Sequence, residues 1–122
     1  MDKPTALVVE DDVELAHFVG LVLQEAGFEV EKVHTGLQAL AMLSSTAPDL
    51  VILDIGLPQV SGIEILESIK RDSRLSQTCV IITTAYSHLP QTVKDKADLV
   101  LLKPVSYAKL RDLSRELVAS AA

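Results

Sequence analysis

Runs of four consecutive apolar residues mark three predicted strands: ALVV at 6–9, LVIL at 50–53 and LVLL at 99–102. Each has the length of a strand buried on both faces. A further strand is predicted at 80–83, within CVIITT, and an edge strand at 28–33, where FEVEKV alternates as a strand with one wet face would. Between the strands the apolar positions recur at helical spacing. Leu15, Phe18, Val19, Val22, Leu23 and Ala26 predict a first helix, N-capped by Asp12 and ended by Gly27. Thr35 and Gln38 form a capping box ahead of Leu37, Leu40, Ala41 and Leu43, a second helix that runs out near Ser44 and Ser45.

Ser61 and Glu64 form another capping box, opening a third helix with Ile63, Leu66 and Ile69 on its inner side. Lys70 and Arg71 close it, where cations suit the helix dipole. The segment 86–96, YSHLPQTVKDK, leaves room only for a short fourth helix, because Pro90 fits nowhere but a first turn. Ser106 caps a last amphipathic helix carrying Leu110, Leu113 and Leu117. Strand and helix thus alternate five times. That alternation predicts an α/β fold, a parallel sheet covered on both faces by its crossover helices.

The chain of 122 residues fits one domain, and no repeat, linker or low-complexity stretch divides it. It is 48% hydrophobic, yet its longest apolar runs are four to five residues, so no membrane insertion is expected. The first residues, MDKPTALVVE, lack a secretory signal pattern, which makes the cytoplasm the default location. A net charge of −6 argues against direct nucleic-acid binding, with basic residues scattered apart from Lys70, Arg71 and Arg74. The scarcity of aromatic residues removes any stacking platform for bases. The single cysteine, Cys79, excludes an internal disulfide and reads as a small buried hydrophobe.

The chemistry gathers around LVILDIGLPQVSG at 50–62, where a buried strand runs into Asp54 and then Gly56, Pro58 and Gly62. In an open parallel sheet the carboxyl ends of the strands are where ligands bind. Glu10 and Asp11, Asp54, Thr84 and Lys103 all fall at such ends, on one edge. Clustered carboxylates repel one another, and a hard divalent cation relieves them; Mg²⁺ takes one or two carboxylates and keeps several waters. Mg²⁺ is expected at Asp11 and Asp54, with Glu10 acting through a water and the Gly56 backbone carbonyl completing the protein's share. Asp54 is the expected acceptor of a phosphoryl group, whose oxygens would be met by Mg²⁺, the Lys103 ammonium, and the Thr84 hydroxyl with a nearby backbone N–H. His17, His34 and His88 have no ligand or triad spacing and read as surface or helix residues.

The motifs VVEDD, LVILDIGLPQVSG, ITTA and LLKP resemble the four signatures of the receiver domain of bacterial two-component response regulators. The resemblance implies a single receiver domain over 1–122 with the flavodoxin-like sheet order 2-1-3-4-5. It implies phosphorylation of Asp54 by a histidine kinase or a histidine phosphotransfer protein. Glu10 and Asp11 match the family's acid pair, Thr84 its switch hydroxyl and Lys103 its lysine, and the Lys103–Pro104 peptide would be cis. The domain would assist only its own phosphorylation and dephosphorylation, and its output would lie in another protein or in a further part of a longer polypeptide. The chain departs from the pattern at Val100, where many receivers carry an aromatic, in its short fourth helix, and at Gly56, which leaves space for water beside an acyl phosphate.

Three other readings fit parts of the sequence. A pseudo-receiver would keep the fold as a docking module without accepting phosphate, but has no need of clustered charge. A phosphoaspartyl hydrolase would want a second Asp where Gly56 stands. A flavin or nucleotide binder would want glycines or hydroxyls after the first strand, where this chain has three acids.

Overall fold

The computed structural model describes residues 3–121. Five parallel strands, β1 (Thr5–Val9), β2 (Glu29–Val33), β3 (Leu50–Asp54), β4 (Cys79–Thr84) and β5 (Leu99–Leu102), form one sheet in the order β2-β1-β3-β4-β5. Helices α1 (Val13–Ala26), α2 (Gly36–Ser45), α3 (Gly62–Arg71), α4 (Gln91–Lys94) and α5 (Tyr107–Ala121) connect or follow them, with a 3₁₀ turn at Ser73–Leu75. The flavodoxin-like fold is the one implied by the sequence motifs.

Strand parity divides the core in two. Leu7, Val9, Val51, Leu53, Val80 and Ile82 pack against Ala39 and Leu43 of α2 and Ile65, Leu66 and Ile69 of α3. Their neighbours Ala6, Val8, Leu50, Ile52 and Ile81 pack against Ala16, Val19, Val22 and Leu23 of α1 and Leu110 of α5. A strand buried this way needs apolar residues at every position, which is why β1 and β3 read as continuous runs. β5 departs from that expectation: it is an edge strand, and of its apolar run only Leu101 is buried while Leu99 and Leu102 are exposed. β2 lies at one edge and keeps Glu29, Glu31 and Lys32 in solvent.

The predicted caps form. Asp12 accepts the Leu15 N–H, Thr35 that of Gln38, Ser61 that of Glu64 and Ser106 that of Lys109. Gly27 ends α1 at φ 118°, a left-handed conformation natural to glycine. Two details differ from expectation. The inner side of α3 is Ile65, Leu66 and Ile69, while Ile63, in the first turn, points past the sheet edge into solvent. Cys79, at the start of β4, is only half-buried, although burial still pushes its thiol up to about 11. α4 is a single turn that begins after Pro90, as the proline requires.

The start of α3 touches the end of β3. A Cβ on Gly62 would lie 2.5 Å from the Asp54 carbonyl oxygen and 2.6 Å from the Ile55 Cα, both backbone atoms unable to swing aside. Gly62→Ala should therefore destabilise the fold by about 1–3 kcal/mol, measured by urea unfolding. An unchanged midpoint would show that the 55–62 loop yields freely, and that Gly62 does not fix Asp54.

Candidate functional site

Every crossover returns the chain to the same end of the sheet, so the carboxyl ends of β1, β3, β4 and β5 lie side by side. The order reverses between β1 and β3, because β2 lies on one side of β1 and all later strands on the other. That reversal opens the crevice above the two central strands. Into it come Glu10 from the end of β1, Asp54 from β3, Thr84 from β4 and Lys103 from just beyond β5.

The Lys103 Nζ stands 2.9 Å from Glu10 Oε1 and 3.3 Å from Asp54 Oδ2. Both acids are buried, at 4% and 5% exposure, so each needs compensation for the water it has lost. Glu10 Oε2 also accepts the Asp12 N–H, and Asp54 Oδ1 accepts the Gly56 N–H at 2.9 Å. Thr84 Oγ1 accepts the Tyr86 N–H, and the Thr84 carbonyl accepts the Lys103 N–H at 2.8 Å. The last bond ties the hydroxyl and the ammonium to one pair of strand ends. The Lys103–Pro104 peptide is cis. Asp54, Gly56, Thr84, Ala85, Tyr86 and Lys103 line a cavity of about 200 Å³.

Glu10, Asp11 and Asp54 each present a carboxylate oxygen within 4.8 Å of the others. Such a set of hard oxygen donors fits Mg²⁺. The five residues expected from the sequence are thus brought to one place, with Asp11 the exposed member. The Gly56 contact seen is through its N–H.

The electrostatics of the cluster follow from its burial. Desolvation pushes Glu10 up to about 7 against the pull of the Lys103 hydrogen bond, and the Asp54 charge adds to the rise. Asp11 is held below its ordinary range; burial opposes this, but hydrogen bonding with Glu10 and Asp54 prevails. Burial likewise works against the Lys103 charge, yet the bond to Glu10 and the Asp54 charge raise its pKa. Lys103 accordingly keeps its charge, and burial works against the charge of Glu10 beside it.

One residue near the site lies outside the sequence expectation. His34, read as a surface or helix residue, instead follows β2 directly and is half-buried, with Nδ1 2.9 Å from the Glu10 carbonyl oxygen. A lone histidine carries no spacing signal, so its role was invisible. The available hint was its position, between an edge strand and the Thr35 cap.

The family model for the response regulator receiver domain matches residues 6–115. The chain belongs to the response regulator receiver family. It is 34% identical over 115 residues to the transcriptional regulatory protein TrcR of Mycobacterium tuberculosis, covering 89% of this chain and 44% of that protein. It is 33% identical over 104 residues to the DNA-binding response regulator MtrA of Mycolicibacterium paratuberculosis, covering 85% and 46%. The chain spans less than half the length of these curated relatives. Among solved structures it is similar to the response regulator TrrA of Thermotoga maritima in complex with Mg²⁺ and BeF, with a TM-score of 0.82, 31% identity, and 93% and 98% of the two chains covered.

Because Glu10 binds its proton more tightly folded than unfolded, its contribution to stability is complete below the ordinary value of 4.5 and is lost as pH rises through about 7. In chelator-treated protein, urea unfolding should show stability falling across that window by something on the order of 2 kcal/mol. Glu10→Gln should flatten the profile. Equal slopes in parent and variant would remove Glu10 as the source.

Proposed function

We propose that this receiver domain is a phosphorylation-dependent switch in a two-component phosphorelay, with Asp54 as phosphoacceptor. The observation that carries the reading is the Lys103 ammonium held against both Glu10 and Asp54 at the mouth of the cavity that Thr84 also lines. An Asp54 carboxylate oxygen attacks the phosphorus of a phosphohistidine donor; the new O–P bond forms as the P–N bond breaks, and the imidazole leaves with the electron pair and takes a proton from solvent. Lys103 then neutralises one phosphoryl oxygen, and the Thr84 hydroxyl, turning from the Tyr86 N–H, donates to another.

Glu10, Asp11 and Asp54 would hold Mg²⁺, with the Gly56 backbone carbonyl as a further donor. When bound, the ion supplies the positive charge that lets an anionic donor approach an anionic site. That TrrA, at 31% identity, is a complex with Mg²⁺ and BeF supports the assignment.

The donor is a histidine kinase or a histidine phosphotransfer protein. Exposed Val13, Leu37, Ile63 and Tyr107 begin α1, α2, α3 and α5, and exposed Tyr86 follows β4. Val13, Leu37 and Ile63 thus lie at the helix starts on the crevice's edge of the sheet and Tyr86 lines the cavity itself, while the Tyr107 hydroxyl turns to Glu25 at the far end of α1. The exposed apolar surface beside the charged crevice has the composition expected of a protein docking site. The domain is not an enzyme toward other substrates; it assists only its own phosphorylation and dephosphorylation. Its effector is a further protein, or a part of a longer polypeptide such as the DNA-binding regulators it resembles, and this domain itself contacts no nucleic acid. Among the described residues no helix is long and apolar enough to cross a membrane, which suits a cytoplasmic signalling domain.

Incubation with Mg²⁺ and acetyl phosphate should add one phosphoryl group by intact mass, lost with a chelator and in Asp54→Ala. No gain in folded protein would favour the pseudo-receiver, a docking module that keeps the fold without the chemistry. A second outcome concerns Gly56, where a Cβ would meet only Asp54 Oδ1, at an ordinary 3.6 Å. Filling that space should exclude water, so Gly56→Met should lengthen the phosphoryl lifetime severalfold. An unchanged or shorter lifetime would show that water reaches the acyl phosphate by another side.

A further inference from the structure

The loop that carries Glu10 and Asp11 is fastened to the neighbouring strand at two points. The Glu10 N–H donates to the Val33 carbonyl at 3.1 Å, and the Glu10 carbonyl lies 2.9 Å from His34 Nδ1. A carbonyl can only accept, so Nδ1 must carry the proton in this bond. The oxygen it holds belongs to the peptide joining Glu10 to Asp11. A peptide is planar, so fixing that oxygen fixes the ψ of Glu10 and, with it, the position of the Asp11 nitrogen and Cα from which that side chain leaves the backbone.

His34 is itself held from the other side. Its N–H donates to Gln38 Oε1 at 2.9 Å, while the Gln38 N–H donates to Thr35 Oγ1 at 3.1 Å. The predicted capping box is therefore offset: the returning arm of Gln38 lands on His34, one residue before the cap. The first turn of α2 thus fixes the His34 backbone, and the His34 ring fixes the acid loop.

Resting on the reading that Glu10 and Asp11 hold Mg²⁺, we infer that His34 is a positioning residue for that site, aiming Asp11 at the cation through the Glu10–Asp11 peptide. Its role is to hold the loop in one arrangement before the ion arrives, so that binding need not order it. Loss of one such hydrogen bond should weaken Mg²⁺ binding about fivefold.

The experiment is calorimetric titration of the whole chain with MgCl₂, comparing the parent, His34→Ala, His34→Asn and His34→Gln, with Asp11→Ala as the control for the site. An Asn side-chain N–H₂ occupies nearly the place of Nδ1, whereas that of Gln falls near Nε2. His34→Ala and His34→Gln should bind Mg²⁺ about fivefold more weakly, and His34→Asn close to the parent. Melting temperatures in chelator should separate Asn from Gln far less than the Mg²⁺ affinities do. Equal Mg²⁺ affinity in all four proteins would overturn the inference while leaving the metal site standing. A parent that binds no Mg²⁺, or binds it unchanged in Asp11→Ala, would overturn the reading of the site and the inference with it. Should His34→Ala fail to fold, the comparison of Asn with Gln decides: no difference between them overturns the role.

Discussion

Two carboxylates withdrawn from water at one edge of a sheet can be kept there only if positive charge is brought to them, and Lys103 brings it to Glu10 and Asp54 together. Much of the architecture serves that triangle. The parallel topology delivers the acids and the base from three different strands to one edge. The bond from the Lys103 N–H to the Thr84 carbonyl holds the fifth strand's end in register with the fourth. The close approach of Gly62 to the Asp54 carbonyl prevents the Asp54 backbone from drifting toward α3. The ammonium is shared between two acids, so under the proposed function a phosphoryl group on Asp54 would compete with Glu10 for it. Under the same reading a divalent ion at Glu10 would replace it there and so link metal binding to the freeing of Lys103.

Much of this was legible in the sequence because burial of β1 and β3 on both faces writes itself as unbroken apolar runs, and each run, that of the half-exposed edge strand β5 included, ends in a residue of definite chemistry. Strand ends could be read as site positions without knowing the strand order, since every parallel strand ends on the same edge. The order itself, the cis Lys103–Pro104 peptide and the partner class were implied by the motifs, not by periodicity. Less was legible where one residue has two geometrically allowed neighbours. Ile63 fits the apolar stripe of α3, but in a first turn the stripe runs off the end of the sheet. Gln38 fits a capping box, yet the chain before the cap turns so that its amide reaches His34. The histidine's contact with Glu10 depends on β2 pairing with β1, a long-range fact that no local window contains.

The division of the core by strand parity has a consequence for how such a chain can change over time. Each interior position is asked for little more than an aliphatic side chain of suitable volume on a given face, a demand that Val, Ile and Leu meet almost interchangeably if neighbours adjust. The demands that admit few substitutes are concentrated in a handful of polar residues on short connections at one rim. An interior of this kind tolerates divergence as large as that from TrcR, with which the chain shares 34% of 115 aligned residues. Drift in the interior and specialisation of the surface around the crevice then proceed on separate accounts, so that new partners can be acquired without rebuilding the reaction centre.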